Sequence, residues 1–223
     1  MGYLSLNLQL QDEPVVVIGG GAVAVRKIAA LLPVGAKVTV IAPTLAFDLI
    51  ALRDKGAITH LARRYQPGDL ANAFLVYAAT DNREVNRQVA VEARERNILA
   101  EITDKPGEGK LISPAVIRQG DLTVAISTNG KAPALAAIIK RELQPLIGQE
   151  YAQATQLLGT IREKLLTDRT GSTYNKQVLR DLAGKLPALF ASNAFDEIDR
   201  LLETSLGAGI TLENLESKLR ETT

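Results

Sequence analysis

From Pro14 onward the chain alternates short apolar runs with longer stretches of helical periodicity. Val15-Val16-Val17-Ile18 is an uninterrupted β-branched run, the pattern of a strand covered on both faces. After Gly19-Gly20-Gly21 come apolar residues at helical spacing from Val23 to Leu32, and then Lys37-Val38-Thr39-Val40-Ile41 as a second strand. The same alternation continues with a predicted helix over 46–55, a short strand over 58–61, a strand over 75–79, a helix over 83–97 and a strand over 98–102. Strands separated by helices predict an α/β fold with a doubly wound parallel sheet of the Rossmann type. Ahead of it, Leu4, Leu6, Leu8 and Leu10 repeat at period two and predict a half-buried strand ended by the turn Gln11-Asp12-Glu13-Pro14.

The texture changes at Asp104-Lys105-Pro106-Gly107-Glu108-Gly109-Lys110, a run of breakers. Beyond it the pattern predicts a strand near Leu111-Ile112, a turn at Gly120-Asp121, a strand over 122–127 and a helix over 133–147, with a domain boundary near Ser113. From Tyr151 only helical patterns remain: Leu157, Leu158, Ile161 and Leu165, then Leu182, Leu186, Leu189 and Phe190, then Phe195, Ile198, Leu201 and Leu202. Leu206-Gly207-Ala208-Gly209 ends one helix, and Thr211 is placed to cap a last one.

At 223 residues the chain has room for one to two domains of ~100–200 residues. Twenty-six Lys+Arg against 25 Asp+Glu leave +1, so the overall charge gives no nucleic-acid or membrane-surface field. The absence of Cys removes disulfides, thiolate metal sites and Cys nucleophiles, and a single His excludes a poly-His cage; metal chemistry would have to rest on carboxylates or on the substrate, and no residue is assigned as a metal ligand. With no basic segment followed by an apolar run at the start, and no bilayer-length apolar stretch, the expected location is the cytoplasm.

Gly19-Gly20-Gly21-Ala22-Val23-Ala24 fits G-x-G-x-x-[G/A] between a buried strand and an amphipathic helix. The first glycine serves the tight turn, the third lets a pyrophosphate approach the backbone, and Ala24 allows close packing of helix on strand. The helix N-terminus then offers free N–H groups to phosphate. The carboxylate that meets the ribose in NAD enzymes is missing: the second strand ends in Ala42-Pro43-Thr44, with no Arg or Lys to favour NADP either. Thr44 is left as a hydrogen-bonding partner for a ribose hydroxyl.

Several blocks then resemble one family. Gly19-Gly20-Gly21-Ala22-Val23-Ala24-Val25-Arg26-Lys27 resembles the GGGxVAxRK signature of precorrin-2 dehydrogenases, which include the N-terminal module of siroheme synthases. Ala78 to Asn82 resembles the family's AATD block, and Thr103-Asp104-Lys105-Pro106 its VVDxP. Leu111-Ile112-Ser113-Pro114-Ala115 resembles FIxPA, and Gly120 to Gly130 resembles GxLxVAISTGG. The helical tail is similar to that of stand-alone members without a methyltransferase module.

The resemblance implies NAD-dependent oxidation of precorrin-2 to sirohydrochlorin by a homodimer and, in some members, iron insertion as a second activity. It implies an NAD(P)-binding domain over 1–113, a small α+β dimerisation segment over 114–148 and a C-terminal helical domain over 149–223. The chain departs from the family at Leu111 for Phe, at Asn129-Gly130-Lys131-Ala132-Pro133 for GGxSP, and in Ala100-Glu101-Ile102, where members commonly carry Asn. Glu101 is thereby expected to put an extra carboxylate beside the site and to act on Asp104 or on tetrapyrrole binding.

The chemistry asked of the chain is to position a nicotinamide, accept a proton and hold a polycarboxylate. Asp104 follows a strand C-terminus, beside the cleft where doubly wound sheets bind ligands, and the resemblance makes it the candidate general base. Capping the turn before Lys105-Pro106 is the other role open to it. The candidate cofactor residues are Gly19, Gly20, Gly21, Ala22, Val23, Pro43, Thr44, Thr80 and Asp81, the last two equally suited to capping a helix. Candidate substrate residues are Lys105, Ser113, Ser127, Thr128, Asn129 and Lys131; for the hydroxyls, turn and cap roles are also open, and for the lysines a solvated surface. His60 lies away from these loops and reads as structural or exposed. A second reading is a dimeric NAD(H)-sensing module without turnover. It accounts for the glycines and the helices but gives no reason for the Asp104 loop or the Ser127–Gly130 block.

Overall fold

A computed structural model describes residues 2–167 and 172–215. The chain divides into two compact units, Met1–Ser113 and Pro114–Thr223. No helix among the described residues is long and apolar enough to cross a membrane.

The first unit is built on five strands, β1 (Pro14–Ile18), β2 (Lys37–Ile41), β3 (Thr59–Leu61), β4 (Leu75–Ala78) and β5 (Leu99–Ile102), in the order β3-β2-β1-β4-β5. All neighbours are parallel; Val15 stands opposite both Val38 and Leu75, and Tyr77 opposite Glu101. Helices α1 (Ala22–Leu31), α2 (Phe47–Asp54) and α3 (Arg83–Glu95) supply the crossovers. The two faces of the sheet carry separate cores. Val15, Val17, Val40 and Leu75 pack against Ala24, Ile28 and Leu31 of α1 and Leu49 of α2. Val16, Ile18, Val76 and Ile102 pack against Val89, Ala90 and Ala93 of α3. Because β1 is buried on both faces, its unbroken β-branched run needs no alternation.

The predicted strand over Leu4–Leu10 does not form. Leu4 is 80% exposed, Leu6 and Leu8 are exposed as well, and Leu10 alone enters the core. Period two specifies a strand only where a neighbour supplies a ladder and a layer covers one face, and this segment has neither among the described residues.

A buried polar clamp holds the loop between β3 and β4. The Glu92 carboxylate on α3 accepts hydrogen bonds from the Tyr65 hydroxyl, the Gly68 and Leu70 amides and the Arg96 guanidinium. Burial pushes this carboxyl up, but Tyr65 and the two amides outweigh it and hold it below its usual value. Burial pushes the Tyr65 phenol up, and its bond to Glu92 adds to the shift. A lowered carboxyl stabilises the fold at pH above its unfolded value, here 4.5, and this contribution is lost as pH falls through the folded value. Glu92→Gln is therefore expected to lower Tm at neutral pH and to flatten its decline below about pH 4.5. Thermal melts of both proteins from neutral to acid pH check this, and parallel acid limbs would refute it.

The second unit opens with the antiparallel hairpin β6 (Ala115–Gln119) and β7 (Leu122–Ile126), closed at Gly120 with φ +56°. The strand expected near Leu111-Ile112 lies instead at β6. Residues 109–111 run along the β5 edge, where the Leu111 amide bonds the Ala100 carbonyl at 3.1 Å and Leu111 joins the core beneath α1. Helix α4 (Pro133–Leu143) stops short of 147 because Pro145 lies ahead, and a 3-10 turn covers Gln144–Leu146. Helices α5 (Gln149–Thr167), α6 (Ser172–Ala191) and α7 (Phe195–Leu206) share a core of Leu157, Ile161, Leu182, Leu186, Ile198 and Leu202. Gly207 ends α7 at φ +111°, and the Thr211 hydroxyl accepts from the Asn214 amide to start the last turn. The rest of that predicted helix, after Leu215, lies outside the described residues.

Candidate functional site

The glycine turn sits where β1 feeds α1, between the ends of β2 and β4. Gly19 has φ +118°, and a Cβ there would lie 2.3 Å from the Ala79 carbonyl oxygen. A Cβ on Gly20 would lie 2.1 Å from the Thr44 carbonyl oxygen. Backbone bonds from Gly19 to Ile41, from Ala79 to Ile18 and from Ala46 to Gly20 lock these neighbours together. Gly21 differs: its φ is −91°, and a Cβ there would meet nothing within 4 Å. No side chain caps α1 and no acidic residue stands in its first turn. The protein itself thus gives no packing reason for glycine at 21, and the first amides of α1, those of Ala22 and Val23 included, have no side-chain acceptor. That combination fits a pyrophosphate lying against the turn. Pro43, Thr44 and Asp81 are exposed at the same carboxyl edge of the sheet, with Thr80 half-buried beside them.

Asp104 stands two residues past β5 at this edge, its side chain one-third exposed. One oxygen, Oδ1, accepts from Asn86 Nδ2 at 2.9 Å. The other, Oδ2, lies 3.5 Å from Arg83 Nη1. Arg83 also grips Glu108, which Lys105 reaches at 3.0 Å. Hydrogen bonds from Arg83 first and Lys105 second hold the Glu108 carboxyl down at about 2. The charge of Lys105 is therefore shared with Glu108 rather than left whole for a substrate carboxylate. Below this group, the Thr103 hydroxyl and amide both bond the Ala78 carbonyl and pin the end of β5 to β4.

Glu101 does not act on Asp104. It lies on the opposite face of the sheet, where Lys27 of α1 pairs with it at 2.7 Å and the Ser113 hydroxyl donates to its second oxygen. The Lys27 ammonium also sits 5.1 Å from the centre of the Tyr77 ring. Burial raises the Tyr77 phenol, and the Glu101 charge raises it further. Side-chain exposures of 18% for Lys27 and 11% for Glu101 make this a largely desolvated pair, in which removing one partner leaves the other uncompensated. Lys27→Met is expected to destabilise the protein by about 2–3 kcal/mol, and Lys27→Met/Glu101→Leu to recover most of that loss. Denaturant unfolding of the double-mutant cycle checks this, and additive losses would sink the pairing.

In the second unit the hydroxyl oxygens of the Ser127–Lys131 turn accept from backbone amides, which leaves each O–H free to donate. Ser127 accepts from Asn129 at 3.1 Å and Thr128 from Ala132 at 3.0 Å, just ahead of α4. Asn129 and Gly130 both take left-handed conformations, and the Lys131 amide closes the turn on the Thr128 carbonyl. His60 donates its Nε2–H to the Ala42 carbonyl at 2.9 Å, a structural bond.

Asn86 is the residue that sequence reasoning missed. Its signal was a polar side chain on the stripe shared by Val89, Ala90 and Ala93, the face of α3 that enters the core. Lys27 and Glu101, 74 positions apart, had no local signal as a pair.

A sheet in this order with a ligand-shaped glycine turn at its carboxyl edge defines an NAD(P)-binding protein of the Rossmann class. The family described as "Putative NAD(P)-binding" matches residues 6–115, and the family "Sirohaem biosynthesis protein central" matches residues 119–144. The chain is similar to siroheme synthases along most of its length. It is 40% identical to Siroheme synthase 3 of Aeromonas hydrophila over 165 residues, 74% of this chain and 35% of that protein. It is 35% identical to Siroheme synthase 1 of Cronobacter sakazakii over 209 residues, 93% of this chain and 44% of that protein. The chain thus spans well under half the length of these curated relatives. Among solved structures it resembles SirC, precorrin-2 dehydrogenase, with TM-score 0.72 and 27% identity, covering 86% of this chain and 98% of that one.

Proposed function

We propose that this chain oxidises precorrin-2 to sirohydrochlorin with NAD, with Asp104 as general base. The observation that carries the reading is a partly exposed carboxylate, held at Oδ1 by Asn86 with Oδ2 beside Arg83, on the sheet edge that also carries the glycine turn. The similarity to siroheme synthases and the likeness to SirC supply the substrate class. The oxidation removes one hydride and one proton from the macrocycle. NAD, when bound, supplies the hydride acceptor. Gly19 to Val23 would hold its pyrophosphate, with Pro43, Thr44, Thr80 and Asp81 along the remainder of the dinucleotide. Asp104 takes the proton at Oδ2, since Oδ1 is occupied by the Asn86 amide. Lys105, Ser127, Thr128, Asn129 and Lys131 are assigned to the polycarboxylate side of the reading; Ser113, whose hydroxyl donates to Glu101 on the other face of the sheet, is not. Of these, Lys131 is an exposed cation at the turn before α4. The reading includes a cytoplasmic homodimer, on the strength of the family resemblance.

Anaerobic incubation with precorrin-2 and NAD, following NADH and the tetrapyrrole spectrum together, tests it. Equal appearance of NADH and sirohydrochlorin is the expected result. Dinucleotide binding without turnover by either NAD or NADP would overturn it in favour of a sensing module.

A further inference from the structure

We propose that Asn86 is a positioning residue for this dehydrogenation, tying the cofactor-side end of β4 to the carboxylate of Asp104. The inference rests on the reaction proposed above. Asn86 is fully buried in the first turns of α3, with 0% exposure, yet each polar atom of its side chain has a partner. One amide hydrogen goes to the Thr80 carbonyl and the other to Asp104 Oδ1, both at 2.9 Å. Its Oδ1 accepts from the Thr80 hydroxyl at 2.8 Å. Turning the amide over would set its oxygen against a carbonyl and a carboxylate, so the partners fix its orientation. Its platform is rigid as well: the Asn82 side chain caps α3 through the Val85 amide, and the Asn86 amide bonds the Asn82 carbonyl.

This arrangement gives Asp104 one restrained oxygen and one working oxygen. A buried, fully satisfied amide is a stiff donor because it has no alternative partner to swing to. Thr80 stands where β4 ends, among the residues assigned to the dinucleotide, so one side chain spans the cofactor side and the base. Asn86 acts through Asp104, which it holds at the oxygen that does not take the proton. A residue in this position sets the rate of the proton step while leaving dinucleotide affinity nearly intact, because small misplacements of a catalytic group carry large rate penalties.

The test compares wild type, Asn86→Leu and Asn86→Asp by anaerobic steady-state kinetics, NADH titration and thermal melts. Asn86→Leu is expected to lower kcat by about 10- to 100-fold with KM and the NADH Kd within about threefold of wild type. Asn86→Asp is isosteric, keeps the acceptor for the Thr80 hydroxyl and replaces the donor facing Asp104 by a carboxyl. Asp104 faces that position directly; Arg83 stands on the other oxygen of Asp104, with Glu108 and Lys105 behind it. The introduced carboxyl donates to Asp104 only when it carries a proton, so kcat of Asn86→Asp is expected to recover as pH falls from about 8 to about 6. Asn86→Leu has no such group and stays low. Wild-type kcat in Asn86→Leu, or a loss of rate that follows a loss of NADH binding, would overturn the proposal. If wild type binds NADH but does not turn over, the proposed reaction has failed. Crystal structures of wild type and Asn86→Leu then decide the positioning: a displaced Asp104 carboxylate supports it, and an unmoved one overturns it.

Discussion

Asp104→Asn is expected to lower kcat for precorrin-2 oxidation by about 10²- to 10⁴-fold, the span of a lost general base. The substitution is nearly isosteric, and its amide oxygen still accepts from Asn86, so the loop geometry survives. What disappears is the basic oxygen on the Arg83 side. The exposed ion pair at 3.5 Å that goes with it is worth under about 1 kcal/mol, and Arg83 keeps Glu108. NADH affinity and Tm should therefore match wild type while turnover collapses. Anaerobic kinetics, NADH titration and a melt on the same preparation separate these quantities. Unchanged turnover would remove Asp104 from the mechanism; a parallel fall in NADH binding would make it part of the cofactor site instead.

The same residues show how much of the molecule could be read in advance. The parallel sheet was legible because its central strands are buried on both faces, which writes unbroken β-branched runs such as Val15–Ile18 into the sequence. Leu4 to Leu10 carried an equally clear period and formed no strand, since a period states a preference for a face and not the presence of a neighbour to pair with. The glycine turn was legible because its spacing follows from backbone geometry. Asp104 stood out only through the family resemblance; by residue type and loop position it could equally have capped a turn. The carboxylate of Glu101, expected beside Asp104, points to the other face because its β5 neighbours Ala100 and Ile102 face α3, and Lys27, on a different element, meets it there. Such pairings depend on the three-dimensional register of α1 against β5, which no local pattern encodes.

The glycine turn separates folding from binding, and its variants are expected to do the same. Gly19→Ala places a methyl 2.3 Å from the Ala79 carbonyl oxygen at φ +118°, a conformation in which L side chains are strained. The carbonyl belongs to backbone locked between β1 and β4, so it has nowhere to move. Destabilisation of about 3–5 kcal/mol follows, roughly a 10 °C fall in Tm for a chain of this size. At Gly21 the protein offers the added methyl open space and an ordinary φ. Gly21→Ala should then shift Tm by no more than about 4 °C, the roughly 1 kcal/mol by which Gly outranks Ala at a helix N-cap. It should nonetheless weaken NADH binding at least about tenfold, because the methyl occupies the approach that the third glycine keeps clear for pyrophosphate. Melts with NADH titrations on both variants read the two effects independently. A stable Gly21→Ala with wild-type NADH affinity would mean that the dinucleotide does not lie against this turn. A destabilised one would mean that Gly21 serves the fold, and the open space above α1 would lose its claim on a ligand.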